Sequence, residues 1–253
     1  MLLRDPKNQS SANRDYLETS EVVWNRTSCS LNEKLETFTK YVSRESMTKF
    51  LARAHLFERQ MNVHGSVVEL GVARGSGLFS WLQLSTIYEP ANYTRQIIGF
   101  DTFKGFPSVS APDLASEAPS EALTLGGYSV AADMRAGIEE AVRMHDLTRF
   151  LGHVPKVRLI QGAIETTLPE FLDCNPHLVV SLLNIDADLF SPTQVALRLI
   201  APRIPKGGIV IFDELGDERF PGETAAVHEV LGISALRLKR FSWCPTLSYW
   251  VKK

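Results

Sequence analysis

The sequence predicts an α/β fold built on one doubly wound, mostly parallel seven-stranded sheet. Three observations point there. Short, continuously apolar segments that end in Gly or Asp recur along the chain, and stretches of helical spacing separate them. Strands apolar at every position are buried on both faces, and the intervening helices supply the cover. The last residues abandon this alternation: 236–241 and 246–251 read as two strands joined by the turn Ser242-Trp-Cys-Pro245. They predict a closing C-terminal antiparallel hairpin.

Residues 1–31 are polar without a sustained period and read as an N-terminal arm. An N-terminal helical segment follows over 32–64, where Phe50, Ala54, Phe57 and Met61 recur at spacings of four, three and four. Ser43 or Ser46 is its candidate cap, and Asn62 to Gly65 ends it. The main domain spans 65–253. Its strands are expected at 66–70, 96–101, 156–162, 177–186 and 207–213, and its helices at 77–88, 133–151, 166–172, 191–200 and 223–231. Ser191 as N-cap with Pro192 at the first helical position predicts the start of the fourth helix. The long loop at 104–132 carries Pro107, Pro112, Pro119 and Gly126-Gly127 and breaks the alternation. A loop of that length inside a compact domain is a lid, a binding segment or a plain insertion.

Charge and composition exclude several classes. Lys+Arg number 27 against 29 Asp+Glu, a net charge of −2, so no basic field exists to hold a nucleic-acid backbone. The longest apolar run, near 178–183, falls short of a membrane span, and Arg4 and Asp5 interrupt the start before a secretory signal develops. Cys29, Cys174 and Cys244 are odd in number and scattered, which suits a reducing cytoplasm. The expectation is a cytoplasmic protein without nucleic-acid or membrane partners.

Two clusters carry candidate chemistry. The first strand runs into Glu69-Leu-Gly-Val-Ala-Arg-Gly-Ser-Gly77. Glycines at such a turn let the backbone approach a ligand closely, and the following helix offers free N–H groups. Gly71, Gly75 and Gly77 are spaced G-x-x-x-G-x-G rather than the dinucleotide G-x-G-x-x-G, and the arrangement is that of S-adenosylmethionine-dependent methyltransferases. Asp101, ending strand two, is positioned to accept from a ribose diol. The alternative is a turn that merely permits tight packing. The second cluster gathers Asp186 and Asp188 after strand four with Asp213 and Glu214 after strand five, its expected neighbour. Residues two apart on an extended strand face the same way, so Asp186 and Asp188 share a side if the strand reaches that far. Crowded carboxylates repel unless protonated or bridged by a cation, and an all-oxygen set suits a hard ion such as Mg2+. The bland alternative is a set of helix-capping acids. On the helix beyond, His228 is a candidate ligand or acid–base group that reads first as solvated or packed, and Glu223 either bonds substrate hydroxyls or simply suits the helix dipole, while Phe79 and Trp81 read as core.

These residues resemble the macrocin-type sugar O-methyltransferases, most closely the branch of dTDP-6-deoxy-L-hexose 3-O-methyltransferases. The likeness runs through Lys34-Leu-Glu-Thr-Phe-Thr-Lys-Tyr-Val-Ser-Arg44, Phe50-Leu-Ala-Arg53, Val68-Glu-Leu-Gly-Val72 and Ile97-Ile-Gly-Phe-Asp-Thr-Phe-Lys-Gly-Phe-Pro107. It continues through Pro176-His-Leu-Val-Val-Ser-Leu-Leu183, Asp186-Ala-Asp-Leu189, Pro205-Lys-Gly207, Phe212-Asp-Glu-Leu215 and Pro221-Gly-Glu-Thr224. The resemblance implies a Rossmann-like class I methyltransferase fold, S-adenosylmethionine and a divalent metal as cofactors, a small-molecule sugar acceptor and a homo-oligomer. It implies that Glu69, Gly71, Gly75, Ser76, Gly77, Asp101, Thr102, Phe103, Gln161 and Gly162 serve the cofactor. Asp186, Asp213 and Glu214 correspond to its metal ligands and Asp188 to its general base. Ala187 stands where a larger side chain is expected, and Glu214 replaces the second aspartate of the wider group. Competing readings are a catechol-type O-methyltransferase, a nicotinamide-dependent sugar oxidoreductase and a non-catalytic scaffold.

Overall fold

The computed structural model describes residues 10–253 and divides into two compact units, 1–49 and 50–253. In the first unit, part of the expected arm is helical instead: α1 spans Ser11–Arg26 and α2 spans Leu31–Glu36. Each is opened by a capping box, Ser10 with Asn13 and Ser30 with Glu33. Neither helix buries a residue, which is why no apolar period marks them in the sequence. The first nine residues of the expected arm lie outside the described residues.

The second unit is a seven-stranded sheet in the order β3-β2-β1-β4-β5-β7-β6. The strands are β1 (Ser66–Leu70), β2 (Ile97–Asp101), β3 (Val157–Gln161), β4 (Val180–Ile185), β5 (Ile209–Phe212), β6 (Lys239–Phe241) and β7 (Cys244–Val251). The first five run parallel, and β7 pairs antiparallel with both β5 and β6. The doubly wound fold with its closing hairpin is therefore borne out. The hairpin turn is tighter than expected, because Cys244 already pairs with Phe241 across Ser242 and Trp243.

Alternate residues of each strand feed opposite layers. Val67, Ile97, Leu182 and Ile209 pack with Leu56, Phe57, Leu78 and Trp81 from α3 (Arg44–Gln60) and α4 (Ser76–Tyr88). Val68, Ile98, Leu183 and Val210 pack with Leu168, Leu197 and Val227 from α6 (Ile164–Cys174), α7 (Phe190–Ile200) and α8 (Pro221–Val230). Between β2 and β3 stands α5 (Met134–Asp146), shorter than the expected 133–151 because the chain turns where Arg149 folds back onto Asp146 and the Val154 carbonyl.

The start of α7 differs from expectation in an instructive way. Phe190 and Ser191 are already helical, so Ser191 is not the N-cap and Pro192 sits at the third helical position. The cap comes from far away. Asp113, 1% exposed in the 104–132 loop, accepts the Phe190 N–H at 2.6 Å and also bonds Ser110. That loop has no regular element beyond a 3₁₀ turn at Ala111–Leu114.

Candidate functional site

Sheet register builds one carboxyl-end rim. Leu70 pairs with Phe100 and with Ile185, and Ile185 pairs with Phe212. The next residue on each strand therefore falls on the same edge: Gly71, Asp101, Asp186 and Asp213. The ladder continues one step past the strands, with Gly71 donating to the Phe100 carbonyl, Asp186 to Leu70 and Asp213 to Ile185. In open α/β sheets this edge is where ligands bind.

The glycine turn is built for close approach. Gly71 has φ 85°, and a Cβ there would land on the Asp186 carbonyl. Gly77 lets α4 sit on the Glu69 carboxyl, whose Oε1 an added methyl would displace. Glu69 is 1% exposed, and burial pushes its carboxyl up to about 8, opposed chiefly by the Arg53 guanidinium and assisted by Asp186. Asp101 braces the turn rather than standing free. Its Oδ2 accepts the Ala73 N–H at 2.8 Å and its Oδ1 the Phe103 N–H at 2.6 Å, and both donors belong to non-glycine residues at positive φ.

A cavity of about 590 Å3 opens beside this edge. Its walls include Gly71, Asp101, Thr102 and Phe103 at one side and Asp186, Ala187 and Asp188 at the other. Glu69, Gly75, Ser76, Gly77, Gln161, Gly162, Asp213 and Glu214 do not line it. Gln161 instead accepts from Arg135 at 2.6 Å and donates to the Thr102 carbonyl. Phe106 and Tyr128 of the long loop add an aromatic wall, with Tyr128 edge-on to Phe106 at 5.5 Å and tilted over Phe220 at 5.9 Å. Burial and Asp188 push the Tyr128 hydroxyl up to about 12, so it stays a donor at neutral pH. No sequence signal singled out this tyrosine, which is distant in the chain from either cluster.

The carboxylates converge. One oxygen each from Asp186, Asp213 and Glu214 lies within 4.8 Å of the others. Strand β4 stops at Ile185, so Asp186 and Asp188 do not share a strand face as expected. Asp188 reaches the cavity because its own φ is 60°. Glu214 is buried, and burial together with Asp213, Asp188, Asp186 and Glu223 holds its carboxyl well above the usual range. Its Oε2 has no hydrogen-bond donor among the described residues. Glu223, fully buried, accepts the Glu214 N–H at 3.1 Å and is raised for the same reasons. An oxygen-only set, buried at Asp213 and Glu214 and half-buried at Asp186, with an undonated carboxylate oxygen and no His or Cys, fits a hard divalent cation. His228 is exposed on α8 and adds nothing to the cluster.

Residues 36–230 match the macrocin O-methyltransferase (TylF) family. This chain belongs to that family. Macrocin O-methyltransferase membership bears out the resemblance read from the sequence. The chain is 28% identical over 154 residues to the 8-demethyl-8-(2,3-dimethoxy-alpha-L-rhamnosyl)-tetracenomycin-C 4'-O-methyltransferase of Streptomyces olivaceus, covering 60% of this chain and 53% of that protein. It thus spans about half the length of the curated relatives it matches. Solved structures are alike over more of the chain. The calicheamicin methyltransferase CalS11 superposes with a TM-score of 0.91 at 31% identity, covering 96% of this chain and 93% of CalS11. An apo structure of CalS11, described as a TDP-rhamnose 3'-O-methyltransferase, gives 0.82 at 30% identity over 96% and 95%. No helix among the described residues is long and apolar enough to cross a membrane.

Proposed function

We propose that this macrocin-type family member transfers a methyl group from S-adenosylmethionine to a hydroxyl of a deoxysugar, with a divalent cation such as Mg2+ bound beside the acceptor. The observation that carries the reading is the single cavity whose walls include both Gly71 and Asp101 at the glycine-rich turn and Asp186 and Asp188 at the acid cluster. The relatives' names support the acceptor class, since they describe a rhamnosyl-bearing compound and TDP-rhamnose.

The chain's own groups divide the work. Asp101 anchors the donor's ribose with the lone pairs its two backbone donors leave over, and Gly71 allows the donor close to the strand ends. Asp186, Asp213 and Glu214 would hold the cation. When bound, that cation lowers the pKa of an acceptor hydroxyl and offsets the clustered negative charge. Asp188 takes the hydroxyl proton as general base. Phe106 and Tyr128 offer the apolar face of a deoxysugar a flat surface and keep water out. Much of the gain comes from alignment, because attack on a methyl group must be in line with the departing sulfur.

The test is methyl transfer from labelled S-adenosylmethionine to TDP-rhamnose and to catechol, with and without EDTA. Sugar methylation lost in EDTA and restored by Mg2+ is the expected result. Preference for catechol, or activity indifferent to EDTA, overturns the acceptor or the metal assignment respectively.

A further inference from the structure

Glu223 is left over from the reaction as derived. It is fully buried, stands outside the converging oxygens of Asp186, Asp213 and Glu214, and does not line the cavity. A carboxyl taken wholly out of water is costly unless it is hydrogen-bonded. What this one bonds is a bend.

Asp213 and Glu214 are consecutive, and consecutive residues of an extended strand point to opposite faces. Their oxygens converge because the chain leaves β5 after Phe212 and turns. Gly216 takes φ 85°, and the Asp217 N–H returns to the Glu214 carbonyl at 2.8 Å, which closes the turn. Two further amides of the bend are held from the first turn of α8. Glu223 accepts the Glu214 N–H at 3.1 Å, and the Thr224 hydroxyl oxygen accepts the Gly216 N–H at 2.8 Å. A glutamate at the third helical position ordinarily reaches back to the N-cap amide. In α8 the N-cap is Phe220, whose N–H goes to the Asp217 carbonyl, and Glu223 turns to the bend instead. The clamp is itself fixed in place. Gly222 packs so closely that an added Cβ would meet the Asp113 carboxylate and the Phe190 amide.

We infer that Glu223, assisted by Thr224, is the positioning residue that turns two adjacent acids, Asp213 and Glu214, into a ligand pair for the cation. The inference rests on the divalent-cation reading above and adds to it residues that do not themselves belong to the ligand set. Groups that orient metal ligands govern affinity without touching the ion.

Titration of the ligand-free protein with Mn2+, followed by the electron paramagnetic resonance signal of the free ion, tests this without any turnover. Wild type binds Mn2+, and Glu223→Ala binds it about 10- to 100-fold more weakly, the usual cost of losing a group that orients a ligand. Glu223→Gln keeps an acceptor oxygen for the Glu214 N–H and regains most of the affinity. Thr224→Val weakens binding about three- to tenfold, the range of one hydrogen bond, and Thr224→Ser does not. An alanine variant within about threefold of wild type overturns the assignment. So does a glutamine variant as weak as the alanine one, which would make Glu223 a ligand or a counter-charge. If a melt in EDTA shows Glu223→Ala unfolded, the half-buried Thr224 decides, and Thr224→Val equal to wild type overturns the clamp. Wild type that binds no Mn2+ overturns the metal reading, and the positioning role with it.

Discussion

Replacing Glu69 with Gln isolates the energetic consequence of burying a carboxyl under the first turn of α4. In the native protein that carboxyl keeps its proton up to about pH 8, while in the unfolded chain it ionises near 4.5. Between those values the native state holds the extra proton, so its stability falls as pH rises. At about 1.4 kcal/mol per pH unit, the full window corresponds to about 5 kcal/mol, most of it already lost by pH 7. Gln has nearly the same shape and no titration. The advantage of Glu69→Gln over wild type should therefore grow from near zero at pH 4.5 to several kcal/mol at pH 8 and then level off. Urea denaturation of the ligand-free protein at half-unit steps from pH 5 to 9 measures it. Parallel curves for the two proteins would refute the reasoning, because they would mean that Glu69 is ionised throughout, fully compensated by Arg53.

Three further outcomes are expected. Asp188→Asn should lower turnover at least about 100-fold while leaving the calorimetric affinity for S-adenosylhomocysteine unchanged, because the amide cannot accept the hydroxyl proton. Mg2+ should raise the melting temperature of wild type and fail to do so for Asp213→Asn, and the gain should be larger at pH 8 than at pH 6. The reason is that raised carboxyls such as Glu214 must release protons to hold a cation, a coupling read directly by differential scanning fluorimetry. Asp113→Ala should cost about 1–2 kcal/mol in urea denaturation, since it removes the cap of α7 and empties a buried site that also receives Ser110.

Much of the architecture was legible because its signals are local. The segments 66–70 and 209–212 place apolar residues on both faces, with Val67 opposite Val68 and Leu70 in the first, the mark of a strand buried in a parallel sheet. Gly71, Asp101, Asp186 and Asp213 were legible together, because strand ends in register bring strand-terminal residues to one edge. What escaped the reading depends on partners distant in sequence. The cap on α7 comes from a residue 77 positions away. The positive φ of Asp188, which substitutes for a longer β4, has no compositional mark. Glu223 looked like a dipole-favoured residue of a first turn, yet it is fully buried against the Glu214 backbone. The helix α1 buries nothing, so the apolar period that reveals the other helices is missing, and only the Ser10 and Asn13 capping pair announces it.

The burial of Asp113 constrains how the 104–132 stretch can move. Its carboxylate is bolted to the leading amide of α7, and a side chain at Gly222 on α8 would collide with it. The stretch cannot swing away as one door. Phe106 precedes this fixed point and Tyr128 follows it, so the two aromatic residues of the cavity wall lie on opposite sides of one anchor.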